Sequence, residues 1–230
     1  VFDTATVAAE KLIEEEEDRN SGHFGHRYEE LGQFAAGGSG ELFKAKDNVF
    51  NRIVAVKRLR AEICRNERSV GDFLRECRIT AQLDHPAIPP MHSLGRGEDG
   101  NWRVAMKLVD GVTMRECLNE TVSRYHEKPP TAEEERQGLF ERLEVFIKVC
   151  EAIAFIHTNK INHCDLKPDN LMIGRHGEVY VMDWGNARLN GSTLEQLSGT
   201  PGYIAPELFT ERKVTPLLDV FALGMILFEL

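Results

Sequence analysis

The alternation of apolar and polar positions changes character near residue 28. Before it, Val7, Leu12 and Ile13 stand against the acidic run Glu14 to Asp18, which is the spacing of an amphipathic helix over residues 1 to 18 whose charge run reads as a solvated face. Ser21-Gly22-His23 breaks that pattern, and from Tyr28 the chain is strand-like. Phe34-Ala35-Ala36-Gly37-Gly38-Ser39-Gly40-Glu41-Leu42-Phe43 sets small residues between two strands. The β-branched run Arg52 to Lys57 predicts a further strand with Ile53, Ala55 and Lys57 on one face. In a helix near Val70 to Leu83, Phe73, Glu76, Thr80 and Leu83 share one stripe, so Glu76 lies among inward-facing positions and needs a cation. Trp102 to Val109 reads as a buried strand entering a turn. Asn119 to Gln137 is polar, contains Pro129-Pro130 and reads as a surface insertion. Leu143, Phe146, Ile147, Cys150, Ile153 and Ile156 predict a helix from Leu139 to Thr158, with His157 simply ending it. Strand, turn, strand is expected from Leu171 to Val181, then an apolar helix from Val220 with Asp219 at its N-cap.

Composition narrows the function classes. The 230 residues are 42% hydrophobic and 28% charged, enough for one large domain or two lobes. A net charge of -9 without a basic cluster argues against a general binder of nucleic acid or anionic membrane. Cys64, Cys77, Cys117, Cys150 and Cys164 are odd in number, widely spaced and lack a C-x-x-C pair, so neither a disulfide framework nor a zinc site is indicated, and a cytoplasmic setting is expected. The longest apolar stretch, Val220 to Leu230, is interrupted by Gly224 and Glu229 and is too short to span a bilayer. No membrane contact is expected within this segment. The chain stops at Leu230 inside a helical pattern and reads as a fragment. Membrane tethering of a longer protein and the oligomeric state are left open.

The candidate chemistry lies in Ile161-Asn-His-Cys-Asp165-Leu-Lys167-Pro-Asp-Asn170-Leu-Met-Ile173, with Tyr180-Val-Met-Asp183-Trp-Gly185 after it. A carboxylate, a cation, an amide oxygen and a second carboxylate are the parts needed to accept a hydroxyl proton, neutralise a phosphoryl group and hold Mg²⁺. The same residue types also make ordinary polar turns. Upstream, the glycine hairpin lets backbone N–H groups approach an anion. Lys57, ending an apolar strand face, needs an anion unless it snorkels to water.

The run H-x-D-L-K-P-x-N-L, with D-x-G thirteen positions after Asn170, resembles the catalytic and metal-binding loops of protein kinases. The resemblance covers about Tyr28 to Leu230. It implies an α+β, two-lobed fold: a small antiparallel β-sheet N-lobe with a C-helix, and a mainly helical C-lobe. The corresponding boundaries are a helical extension over residues 1–26, N-lobe and hinge over 27–109, and an incomplete C-lobe over 110–230. Gly37 and Gly40 stand as the second and third glycines of the phosphate-covering loop, with Gly38 between them, Ala35 where the first glycine belongs and Leu42 where valine is usual. Lys57 and Glu76 match the lysine of V-A-x-K and the glutamate of the C-helix, and Asp84-His85-Pro86 follows that helix as in the family.

By the same resemblance Met106 is the gatekeeper, the backbone of Lys107 and Val109 meets adenine, and Leu42, Ala55 and Met172 sandwich it. Asp165 is the catalytic base, Lys167 screens the transferring phosphoryl group, Lys57 holds the α and β phosphates of ATP, and Asn170 and Asp183 hold Mg²⁺, with Mn²⁺ as a substitute. Ser198-Gly-Thr200-Pro-Gly-Tyr203-Ile-Ala205-Pro206-Glu207 resembles the end of the activation segment. Together with Lys167-Pro168 it implies protein substrates with serine or threonine acceptors. Asp219 in such proteins braces the catalytic loop.

Three departures stand out: Trp184 replaces the phenylalanine of D-F-G, Cys164 replaces the arginine before the catalytic aspartate, and the several helices that in relatives come after the one starting at Asp219 are missing. Cysteine cannot bind a phosphate on the activation segment, so phosphorylation at Ser192, Thr193 or Ser198 is not expected to be required. The rival readings are a pseudokinase or nucleotide-binding scaffold and a small-molecule kinase of the same fold.

Overall fold

The computed structural model describes residues 23–37 and 40–230, so the helix expected over residues 1–18 and the glycine at 38 lie outside the described residues. Two compact units divide the chain, one running up to Cys77 and resuming over Pro90–Leu108, the other made of Arg78–Pro89 and Val109–Leu230.

In the first unit a short helix α1 (His23–Arg27) leads into strands β1 (Tyr28–Ala36), β2 (Gly40–Asp47) and β3 (Arg52–Leu59). Helices α2 (Ala61–Cys64) and α3 (Glu67–Ala81) follow, then β4 (Met91–Arg96) and β5 (Trp102–Lys107). The strands form one antiparallel sheet in the order β1-β2-β3-β5-β4. Two-residue alternation sorts the side chains. Val54, Val56 and Ala105 join Phe24, Tyr28 and Phe43 in one cluster, while Leu59, Val104 and Trp102 join Phe73 and Cys77 of α3 in another. The α3 helix starts earlier than its apolar stripe suggests because the Asn66 amide oxygen accepts the N–H groups of Arg68 (3.0 Å) and Ser69 (3.3 Å). At the far end of the sheet the buried Asp47 carboxylate takes Nε of Arg27 at 3.1 Å, Nε of Arg52 at 3.3 Å and the N–H of Val49 at 3.2 Å, joining α1 to the β2–β3 turn.

The second unit opens with β6 (Gly111–Thr113) and the helices α4 (Met114–Glu127) and α5 (Ala132–Thr158). The polar stretch expected to be an insertion over 119–137 is therefore helical apart from the few residues around Pro129-Pro130. Its signals were local: Thr113 with Glu116, and Thr131 with Glu134, form reciprocal capping boxes. Its polar composition reflects exposed helix faces rather than a loop. After α5 come β7 (Ile161–Asn162), a 3-10 turn (Pro168–Asn170), β8 (Leu171–Gly174), β9 (Val179–Val181), a second 3-10 turn (Trp184–Asn186), β10 (Arg188–Leu189), α6 (Leu208–Glu211) and α7 (Pro216–Glu229). The C-terminal half of α5 supplies Val149, Ala152, Ile153 and Ile156 to a core shared with Leu166, Leu171, Val181, Ala222 and Ile226. That core is what the catalytic-type loop rests on. Among the described residues no helix is long and apolar enough to cross a membrane.

Candidate active site

In the second unit β7 delivers the chain to a loop whose backbone is fixed from below by α7. Asp219, only 1% exposed, accepts the N–H groups of His163 and Cys164, each at 2.9 Å, and lies 2.9 Å from Nε2 of His157. Asp219 is thus not the N-cap, a place taken by Thr215, and His157 does more than end its helix. These contacts hold Cys164 at φ 63, a left-handed turn in which a side chain is costly and persists only when its surroundings fix it. Burial first, and the Asp219 charge second, push the Cys164 thiol up, so it stays neutral beside the apolar cluster of Leu194, Ala205, Leu208, Val214 and Leu218. The His163 ring is buried. It accepts the Asp165 N–H at Nδ1 (3.3 Å), so Nε2 carries the proton given to the Met182 carbonyl (2.9 Å), and it packs in a T-shaped arrangement with Trp184, ring centroids 4.8 Å apart.

Three side chains meet at Asp165: Lys167 and Asn170 from its own loop and Thr200 from far along the chain. The Thr200 hydroxyl donates to Oδ1 at 2.9 Å and accepts from Lys167 Nζ at 2.7 Å, while Nζ stands 3.5 Å from Oδ2. The Asn170 amide nitrogen donates to the Asp165 carbonyl at 2.8 Å and lies 3.4 Å from Oδ2, which turns its amide oxygen to other uses. Asp183 reaches the same end of the β8–β9 hairpin through the ladder: Leu171 pairs with Val181, and the Met182 N–H donates to the Asn170 carbonyl at 2.8 Å. Asp183 takes φ 59 and is exposed, whereas Trp184 after it is buried with its indole N–H on the Val181 carbonyl at 3.1 Å. Among the described residues no three His, Cys, Asp or Glu side chains gather as a metal cluster. Met172 lies half-buried in β8 opposite Thr113 and Tyr180.

In the first unit Lys57 Nζ meets Glu76 Oε1 at 2.7 Å, with side chains only 13% and 11% exposed. Leu42 pairs with Lys57 and Ala55 with Met106, so these four lie side by side across β2, β3 and β5. The Lys107 N–H is committed to the Pro90 carbonyl at 3.0 Å, and Val109 follows in the second unit. In the glycine hairpin Ala35 pairs with Leu42, and the Gly37 N–H donates to the Gly40 carbonyl at 2.8 Å. A Cβ at Gly40 would fall 2.5 Å from the Arg58 carbonyl oxygen, while one at Gly37 would meet nothing within 4 Å among the described residues.

Three participants carried no role in the sequence reading. Thr200 was visible only as one residue of the run that resembles the end of the activation segment, with no role of its own. His157 and Arg115 gain their meaning from partners far along the chain, which no periodicity reveals. Arg115 donates to Glu229 Oε2 (2.6 Å) and the Tyr203 hydroxyl (2.5 Å) and lies 3.5 Å from Asp169 Oδ2.

Comparison with known proteins gives a consistent picture. The protein kinase domain family matches residues 26–230. The serine/threonine-protein kinase PknD of Protochlamydia amoebophila (strain UWE25) is 30% identical over 225 residues, covering 88% of this chain and 23% of the relative. The proteins of the same name from Chlamydia caviae and Chlamydia pneumoniae are each 32% identical, covering 89% of this chain and 24% of their own length. The chain therefore spans about a quarter of the curated relatives it matches.

Proposed function

The chain belongs to the protein kinase domain family, and on that premise we propose that it transfers the γ-phosphoryl group of ATP to serine or threonine hydroxyls of proteins. The observation that carries the reading is the Asp165 carboxylate, whose Oδ1 already accepts a hydrogen bond from an alcohol, Thr200, at 2.9 Å. An acceptor hydroxyl asks for the same service, orientation and then removal of its proton, from a base within hydrogen-bond reach. Lys167 reaches both the carboxylate and that hydroxyl, so its charge is available to screen a phosphoryl group as negative charge shifts toward the leaving oxygen. In the other unit Glu76 holds the Lys57 ammonium at 2.7 Å, orienting a cation for the α and β phosphates. Ala35, Gly37, Gly38, Gly40 and Leu42 form the cover for the phosphates. The residues assigned to adenine are Ala55, Met106 and Lys107 in the first unit and Val109 and Met172 in the second.

The donors at Asn170 and Asp183 suit Mg²⁺. It takes hard oxygen ligands and commonly draws only one or two from the protein, with waters and phosphate oxygens filling the rest. An amide oxygen and an exposed carboxylate at one end of a hairpin are such a pair. When bound there, the metal neutralises charge on the β and γ phosphates.

The serine/threonine preference is supported by Lys167 two residues after Asp165, by Thr200 against the same carboxylate, and by the names of the relatives. The test is transfer of labelled phosphate to a mixed Ser/Thr/Tyr peptide set by the wild type and by Asp165→Asn. Replacing the base is expected to slow transfer by about 10²- to 10⁴-fold while nucleotide binding persists. Wild type and variant that bind ATP equally and transfer nothing would support a scaffold instead.

A further inference from the structure

We propose that Arg115 is a positioning residue for the acceptor side of this site, acting through two arms that close on Asp165. This role rests on the phosphoryl-transfer reading above. The first arm runs through Tyr203. Its hydroxyl accepts from Arg115 Nη2 at 2.5 Å and donates to Glu229 Oε1. Burial, reinforced by Glu229, pushes the phenol up to about 12, so it keeps the proton that this donation needs. The Tyr203 N–H closes a turn onto the Thr200 carbonyl at 3.0 Å, and the Thr200 hydroxyl is the group on Asp165 Oδ1. The second arm runs through Asp169, 3.5 Å from Arg115 Nε and next in the chain to Asn170, whose amide nitrogen holds the Asp165 carbonyl at 2.8 Å.

The guanidinium is suited to this work because its donors form a rigid planar fork that can address three acceptors at once, which a lysine cannot do. Glu229 above all keeps the Arg115 charge in place, with its pKa raised. The base of the fork is also fixed: Arg115 sits in the first turn of α4, where Thr113 and Glu116 lock the helix start by a reciprocal capping box. Asp169, Glu229 and Arg115 are all partly exposed, so these bonds contribute modestly to folding. What they fix is where the Thr200 segment stands relative to the carboxylate. The rate of proton acceptance is sensitive to displacements of that kind.

The test separates positioning from folding by a ratio measured on one sample. Peptide phosphorylation and the slow hydrolysis of ATP to water are assayed together in the wild type, Arg115→Met, Tyr203→Phe and the double variant. Loss of folded protein lowers both reactions in proportion and leaves the ratio unchanged. The expected result is a fall of about tenfold in peptide transfer relative to hydrolysis in each single variant, with an unchanged KM for ATP. The double variant is expected to be no worse than Arg115→Met, because that change already releases the arm that Tyr203→Phe cuts. An unchanged ratio in Arg115→Met, or effects that simply multiply, would overturn the role of Arg115 in an otherwise active kinase. A wild type without peptide transfer would overturn the kinase reading, and this role with it.

Discussion

The Asp47 carboxylate links its own charge state to the sheet that carries Lys57. The Arg27 hydrogen bonds, followed by the N–H groups of Phe50 and Val49, outweigh desolvation and lower its pKa from 3.8 to about 2. A carboxyl depressed on folding contributes stability that is complete above its unfolded pKa and is lost as the pH falls through the folded value. Asp47→Asn is therefore expected to lower the unfolding free energy at neutral pH by about 1–3 kcal/mol in urea titrations. The difference from wild type should shrink between about pH 4 and pH 2, where the wild-type carboxyl itself takes up a proton. A difference that does not change over that window would show that shape, not charge, is what Asp47 provides. The role was not legible in the sequence, where Asp47 is one acid among many and Arg27 and Arg52 are separate basic residues. Thr200 and His157 were missed for the same reason. A side chain whose partner lies far along the chain has no local pattern to announce it.

At the next scale up, the segment after β10 is held by its backbone and by apolar packing. The Gly191 N–H donates to the Val214 carbonyl, the Val214 N–H to the Ser192 carbonyl and the Leu194 N–H to the Arg212 carbonyl, all at 2.8 Å. Arg212 Nη1 adds a bond to the Glu195 carbonyl at 2.9 Å. Leu194 is buried with Val214, Leu208 and Leu218, and Cys164 packs against that cluster. Order there comes from burial and from paired backbone groups, which a neutral thiol suits and an arginine would not. Replacing Ser192, Thr193 and Ser198 together by alanine is expected to leave peptide phosphorylation within about threefold of wild type, ~0.7 kcal/mol in the barrier. A loss of a hundredfold would mean that a phosphate on one of these hydroxyls is required. Elements with strong periodicity, such as α3, the C-terminal part of α5 and the β8–β9 hairpin, were legible in the sequence. The run from Asn119 to Gln137 was not, because its polar composition outweighed the two Thr-x-x-Glu caps that start its helices.

At the scale of the molecule, α7 leaves a stripe of apolar side chains uncovered: Leu217, Val220 and, at 86% exposure, Phe228. Such a surface drives association in water. Sedimentation of the 230-residue chain is expected to show self-association at micromolar concentration that Val220→Lys with Phe228→Lys abolishes without a change in Tm. A monodisperse monomer before substitution would refute this. The kinase fold was legible from short runs because each couples several charged residue types at set spacings. What those runs do not reveal is why each residue is retained, and the glycine hairpin shows the difference. Gly40 is imposed by the neighbouring Arg58 carbonyl, so any descendant that keeps this sheet is obliged to keep that glycine, active or not. A Cβ at Gly37 would meet nothing within 4 Å among the described residues. Across a lineage, then, on the proposed reading of the hairpin as a cover for phosphates, substitution at position 37 would record a release from nucleotide handling, while invariance at position 40 would record only that the strands still meet.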